Sequence, residues 1–358
     1  MAWVLVLDRP SGDPTQIVAG LPIALRLALD AQAARAEAIV IAPGAENARP
    51  ALSDARLKLP VVDAAPAGAR RVRVPASYVL HRGLFRKLVE LDTSSSERDL
   101  ATQPFAHGAA WGFDPIDVAD AASRARAEKA LFRALRKPED GWTSRYLNRY
   151  ISLFFSRLLI HTPLTPNQVS VAILGVGLGG AVSAAQGTPG SLMLGAALLQ
   201  AQSVLDGCDG ELSRVSHRGS RRGEWLDTIG DDLSNYGFFT GAGIGLYRMS
   251  GSWIYLAAGL LTVVAGVIAS GLEYRYLIRI GSGDLLKYPL SQQTNTRREG
   301  PLSALAPLFK RDTFVFLTLI AALLGWLGPV LVVFSLAAVG VLIAVIRTEL
   351  RLAREGAA

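Results

Sequence analysis

Cysteine is almost missing from this chain: Cys208 is the one thiol in 358 residues. That excludes a disulfide framework and a thiolate-ligated zinc or iron–sulfur site, which need several cysteines at close spacing. Histidine is nearly as scarce. His81, His107, His161 and His217 form no short cluster, and none is assigned a role. Charge is thin as well: only 19 % of residues are Asp, Glu, Lys or Arg and 50 % are hydrophobic, whereas soluble domains carry roughly a quarter charged residues. Intrinsic disorder and a highly charged soluble protein are therefore excluded. No internal repeat or low-complexity tract stands out, and residues 1–8 lack the basic n-region of a secretory signal. What charge there is leans basic, with 37 Lys and Arg against 30 Asp and Glu, a formal +7. That balance fits a nucleic-acid binder or a membrane protein, and the placement of the charges decides between them.

Up to about Glu139 charges recur every few residues, and no apolar run reaches the roughly 18 to 20 residues that cross a bilayer. After Pro163 apolar runs follow one another, and six spans are predicted, over 169–185, 191–205, 226–247, 253–278, 313–327 and 329–346. Fourteen basic residues lie between spans two and three, from Arg275 at the end of span four to span five, and after span six; the opposite connections hold only Arg248. By the positive-inside rule both termini and the basic loops are cytosolic, which predicts a multi-pass protein of the inner (cytoplasmic) membrane. A soluble protein with buried helices would show no such asymmetry. The positive excess thus belongs to the bilayer surface, and no nucleic acid is expected as a partner.

Four segments follow: a cytosolic α/β domain over 1–138, an amphipathic juxtamembrane helix over 139–162, an α-helical integral membrane domain over 163–350 and a tail over 351–358. In the first, strands are predicted over 3–7 and 38–42 with helical periodicity over 20–34, an order that suggests an α/β layer. In the second, Asp140 and Gly141 can start a helix from Trp142 to about Ile160. Arg145, Arg149, Ser152 and Ser156 share one face, and Leu147, Ile151, Phe154 and Leu158 another. Such a helix is expected to lie in the cytoplasmic headgroup layer, Arg on its polar side. Trp142, Trp253 and Trp326, near the ends of predicted spans, suit interfacial anchoring.

Chemistry concentrates between spans two and three. Asp206 and Asp209 are three residues apart and Asp227 and Asp231 four apart, so each pair projects from one helical face. Alone, four facing carboxylates at a membrane boundary would repel one another and lose hydration. Divalent cations remove both penalties, and oxygen-only ligands favour hard ions. Four carboxylates can hold two Mg²⁺ or Mn²⁺ ions, which suit phosphate chemistry. Gly210 and Gly223 let a ligand approach the helix backbone, and Arg214 is placed for phosphate oxygens.

This pattern resembles the signature of the CDP-alcohol phosphotransferase family, D-x2-D-G-x2-A-R-x8-G-x3-D-x3-D. Asp206, Asp209, Gly210, Arg214, Gly223, Asp227 and Asp231 match it, and Ser213 replaces the usual Ala. The stretch from Lys137 to Asn148, then Thr165, Pro166, Asn167 and Ser170, is similar to the family's juxtamembrane helix and the start of its first span. The resemblance implies six spans, a cytosolic site and a homodimer. It further implies metal ligation by Asp206, Asp209, Asp227 and Asp231, Asp231 as base for an acceptor hydroxyl, and a CDP-alcohol bound near Gly210, Arg214, Gly223, Asn167 and Ser213, with release of CMP. Arg275 and Arg347 are candidates for an acceptor's phosphate. The CDP-alcohol is expected to be of the CDP-diacylglycerol or CDP-inositol type. A cation transporter using the carboxylates, or a membrane-anchored cytidylyltransferase, are the other readings.

A cytosolic α/β domain ahead of such an enzyme resembles the arrangement of bifunctional inositol-1-phosphate cytidylyltransferase and CDP-inositol inositolphosphotransferase proteins, and residues 18–40 resemble the segment after the nucleotide loop. After the first strand, however, Arg9, Pro10, Ser11, Gly12, Asp13 and Pro14 replace the Gly-rich loop. One Gly and two prolines do not supply the run of N–H groups that cradles a triphosphate. A catalytically silent nucleotidyltransferase-like domain is expected.

Overall fold

An unbroken apolar run, Trp3 to Leu7, forms the central strand of a parallel sheet and is buried on both faces, as parallel strands between covering layers are. The computed structural model describes residues 3–91, 97–99, 112–136, 143–296 and 311–355. They form two units: Met1–Lys137 with Arg214–His217, and Pro138–Ser213 with Arg218–Ala358.

In chain order the first unit holds β1 (Trp3–Asp8), β2 (Ile17–Val18), β3 (Leu21–Pro22), α1 (Ile23–Ala33), β4 (Ala38–Ile41), β5 (Val61–Val62), β6 (Arg70–Pro75), β7 (Tyr78–Val79), α2 (Leu84–Leu91), β8 (Glu97–Asp99), β9 (Ile116–Asp117) and α3 (Ala121–Arg133). The sheet order is β5-β4-β1-β6-β8, all parallel, with Val4 opposite Ala38 and Arg71. Leu5, Leu7, Leu27, Ile39, Val72 and Phe85 pack one face, and Val4, Val6, Ala38 and Val40 the other. The chain runs outward from β1 through β4 to β5, then returns to β6. That reversal makes a crevice at the carboxyl ends of β1 and β6, where doubly wound folds bind ligands.

The second unit is helical: α4 (Arg149–Leu159), α5 (Pro166–Ala184), α6 (Pro189–Ser216), α7 (Arg221–Ser250), α8 (Trp253–Ile280), α9 (Pro289–Thr296), α10 (Arg311–Leu323) and α11 (Leu327–Glu355). Thr165 and Gln168 form a capping box around Pro166 at the start of α5, a start signal legible in sequence. Helices α5, α8 and α11 are long and apolar enough to cross a membrane. Helices α6 and α7 are as long but carry ionisable residues in the halves that meet. Both outrun the apolar stretches predicted for them: α6 continues to Ser216 and α7 begins at Arg221. The Asp residues are therefore inside regular helix, and only 217–220 connects the two. Small residues let the helices touch. A Cβ at Gly195 would lie 2.7 Å from the carbonyl oxygen of Gly180, and one at Gly241 would come closer still to the backbone of Ala181, the close-backbone packing usual between membrane helices. At the far end Arg248 donates to the Ala185 carbonyl at 2.7 Å.

The juxtamembrane helix differs from expectation. A π-helical turn at Ser144–Asn148 leads into α4, and Trp142 lies outside the described residues. Arg149, Ser152 and Ser156 do not face headgroups; they are buried. Leu147, Ile151, Phe154 and Leu158 are exposed, and of the four residues expected on the polar side Arg145 alone is exposed with them. The cause is a long-range partner, Glu211 of α6, described below. Trp253 and Trp326 are 73 % and 67 % exposed at helix starts, as anchors would be.

Candidate active site

Helical spacing carries Asp227 and Asp231 one turn apart on α7, facing Asp206 on α6. One carboxylate oxygen from each of Asp206, Asp227 and Asp231 lies within 4.8 Å of the others. The three line a cavity with Asp209, Gln202, Ser170, Ile173, Leu174, Leu226 and Gly230. Asp209 is turned toward α5, where Ser170 Oγ donates to it. Asp232, one residue on from Asp231, instead accepts from Tyr274 Oη at 2.7 Å.

Two residues of this site escape sequence reasoning. Arg311, the first residue of α10, donates through Nη1 to Asp231 and, at 3.3 Å, to Asp206. Its Nη2 donates to Gln202 Oε1 at 2.8 Å, and Gln202 Nε2 donates to Asp231 at 3.2 Å. In sequence Arg311 is one loop arginine among many, 80 residues from Asp231. Gln202, one helical turn before Asp206, was within reach of a periodicity argument.

Behind the cavity Glu211 is wholly buried, and three partners on α4 satisfy it. Arg149 Nη1 and Ser152 Oγ donate to its Oε1 at 2.7 and 2.8 Å, and Ser156 Oγ to its Oε2 at 2.7 Å. Gly207 permits the approach, since a Cβ there would lie 3.1 Å from Ser152 Oγ. Cys208 is buried, its Sγ 3.5 Å from the Ser152 carbonyl.

The other residues singled out from sequence are spread more widely. A Cβ on Gly223 would lie 2.9 Å from Asn167 Oδ1, which brings the start of α5 against the start of α7. Ser213 accepts through its carbonyl from Arg218 N–H at 3.1 Å, where the chain leaves α6. Gly210 and Arg214 follow Asp209 along α6. Arg275 and Arg347 are exposed and do not line the cavity.

The crevice of the first unit has another character. Asp8, at the end of β1, takes a two-point bridge from Arg73, at 2.8 and 2.9 Å. Ser11 Oγ at 2.5 Å and Ser77 Oγ at 2.7 Å both donate to Asp117. Where a phosphate cradle would need free N–H groups, Ser11 N–H is already donated to Ser77 Oγ at 3.2 Å.

Four carboxylates thus line one acidic, oxygen-rich cavity among α5, α6 and α7, in a chain with three helices long and apolar enough to cross a membrane. The profile of the CDP-alcohol phosphatidyltransferase family matches residues 163–347, and the chain belongs to that family. It is 29 % identical over 226 residues to a protein of Aquifex aeolicus (strain VF5) named bifunctional IPC transferase and DIPP synthase, covering 63 % of this chain and 48 % of that one. A protein of the same name from Thermococcus kodakarensis is 34 % identical over 175 residues, 49 % of this chain and 38 % of that one. The chain thus spans about half or less of the length of these relatives. A solved structure of Mycobacterium tuberculosis phosphatidylinositol phosphate synthase, with CDP-DAG bound, aligns over 56 % of this chain and 93 % of that one, at 20 % identity and a TM-score of 0.42.

Proposed function

We propose that the chain is a metal-dependent CDP-alcohol phosphotransferase that moves a substituted phosphate from a CDP-alcohol to an acceptor alcohol and releases CMP, in the synthesis of membrane lipids. The observation that carries this is the meeting of Asp206, Asp227 and Asp231 at one cavity, inside the segment matched by the family. The donor set fits hard divalent ions: it is all oxygen, and one guanidinium bonds only two of the three clustered carboxylates, Asp206 and Asp231. Asp206, Asp209, Asp227 and Asp231 would hold two ions, Mg²⁺ or Mn²⁺. When bound, these would neutralise diphosphate oxygens and make phosphorus easier to attack.

The residues themselves divide the remaining work. Asp231 takes the proton of the acceptor hydroxyl as its oxygen bonds to the β-phosphorus, and the bond to the bridging oxygen breaks so that CMP leaves with that oxygen. Gln202, hydrogen-bonded to Asp231, orients the carboxylate. Gly210 and Gly223 leave room for the nucleotide, with Asn167 and Ser213 beside them, and Arg214 pairs with phosphate. Arg275 and Arg347 are proposed for the acceptor's phosphate. The exposed apolar face of α4 suits the acyl region below the headgroups. Six spans, cytosolic termini, an inner-membrane location and a homodimer complete the reading, with residues 1–138 a nucleotidyltransferase-like domain that is catalytically silent.

The test is a panel of CDP-alcohols, CDP-diacylglycerol and CDP-inositol among them, offered with several acceptors to the full chain in lipid nanodiscs with Mg²⁺. CMP release that chelation stops is the expected result. No release with any pair would sink the proposal.

A further inference from the structure

Arg311 fills the place among the carboxylates that a cation would take. Its Nη1 reaches Asp231 and Asp206 together, two of the three clustered acids, and Nη2 is held by Gln202. The same carboxylate oxygens cannot serve a guanidinium and a divalent ion at once, and like charges that close repel strongly in a low-dielectric setting. Nor is the guanidinium fully committed. Among the described residues its Nε has no acceptor, so departure gives up three hydrogen bonds to side chains that a metal would satisfy. The side chain is 24 % exposed and opens a helix, so it has a route out of the cluster.

We propose that Arg311 is an exchangeable internal counter-cation. Without metal it neutralises Asp206 and Asp231 and keeps α6, α7 and α10 together. When metal and a diphosphate enter, the guanidinium leaves the carboxylates and pairs with a phosphate oxygen of the incoming group. Metal and diphosphate therefore bind cooperatively: each alone works against the Arg311 contacts, and together they give the guanidinium a new partner. By linkage the coupling is reciprocal, the diphosphate strengthening metal binding by the factor by which metal strengthens diphosphate binding. This rests on the metal reading given above and adds to it the protein cation that competes for the site.

Calorimetric titration of the full chain in nanodiscs with Mn²⁺, with and without CDP, tests it without any turnover. Arg311→Gln should bind Mn²⁺ alone at least about tenfold more tightly than wild type, because the competitor is gone. The gain in Mn²⁺ affinity that CDP confers should shrink by a comparable factor. Arg311→Lys, whose single ammonium cannot span two carboxylates and Gln202, should fall between the two and serves as the readout if the Gln variant does not fold. Asp227→Asn, in parallel, reports on the metal site itself. If wild type binds Mn²⁺, Asp227→Asn loses it and both Arg311 variants bind no more tightly than wild type, the exchange is overturned and the metal site stands. If no form binds Mn²⁺, with or without CDP, both fall together.

Discussion

The chain holds two places where acids meet an arginine, and they differ in how the charges balance. At the β1–β6 crevice Asp8 has its own Arg73 and Asp117 its own pair of serine hydroxyls. At the α6–α7 cavity Asp206 and Asp231 share one guanidinium, Asp227 clusters with them, and Asp209 accepts from Ser170. The first arrangement is complete as it stands. The second holds more negative charge than its partners answer, and an acidic cluster in an apolar setting is maintained only if something cationic returns to it.

The largest effect should come from the unbalanced side. Asp227→Asn or Asp231→Asn should lower CMP release at least about a thousandfold with the thermal transition in detergent little changed; near-normal turnover would remove the contrast between the two places. Next comes the buried clamp. Arg149→Met leaves Glu211 without its cation, and about 3–5 kcal/mol of stability should be lost, read as a lower midpoint of thermal unfolding. Ser156→Ala should cost about 1 kcal/mol by the same measurement. At the balanced crevice Arg73→Met breaks a partly exposed pair, worth about 1 kcal/mol or less. The full chain given CTP and an alcohol phosphate should form no CDP-alcohol before or after that change, and CTP-dependent transfer would show the crevice to be a live site.

A separate effect is a pH slope. Burial pushes the Asp30 carboxyl up to about 7, against the pull of the Arg26 guanidinium. The folded state therefore keeps a proton that the unfolded chain releases near pH 4, so stability falls as pH rises from about 4 to about 7, by at most about 1.4 kcal/mol per pH unit. Asp30→Asn should flatten that slope in unfolding scans across the window.

Legibility followed the range of the interaction. Asp206, Asp227 and Asp231 could be placed on two facing surfaces because spacings of three and four residues report helical faces directly. The start of α5 was legible for the same reason, its capping box lying within four residues. Arg311 was not, since a topology rule counts loop arginines alike and nothing local distinguishes the one that turns back into the cavity. The orientation of α4 was misjudged on related grounds. Amphipathicity shows that Arg149, Ser152 and Ser156 share a side, but the direction that side takes depends on Glu211, 55 to 62 residues onward. The switch-point crevice followed from strand order, which single-strand patterns cannot supply.

Glu211 also bears on the order in which the protein is made. A carboxylate stranded among packed helices is costly until it is paired, yet its partners Arg149, Ser152 and Ser156 all precede it in the chain. Synthesis runs from the N-terminus, so α4 already exists when the ribosome reaches position 211, and the arriving acid meets a prepared receptor. The reverse order would have left an arginine-bearing helix and a bare carboxylate waiting for each other across two unfinished spans.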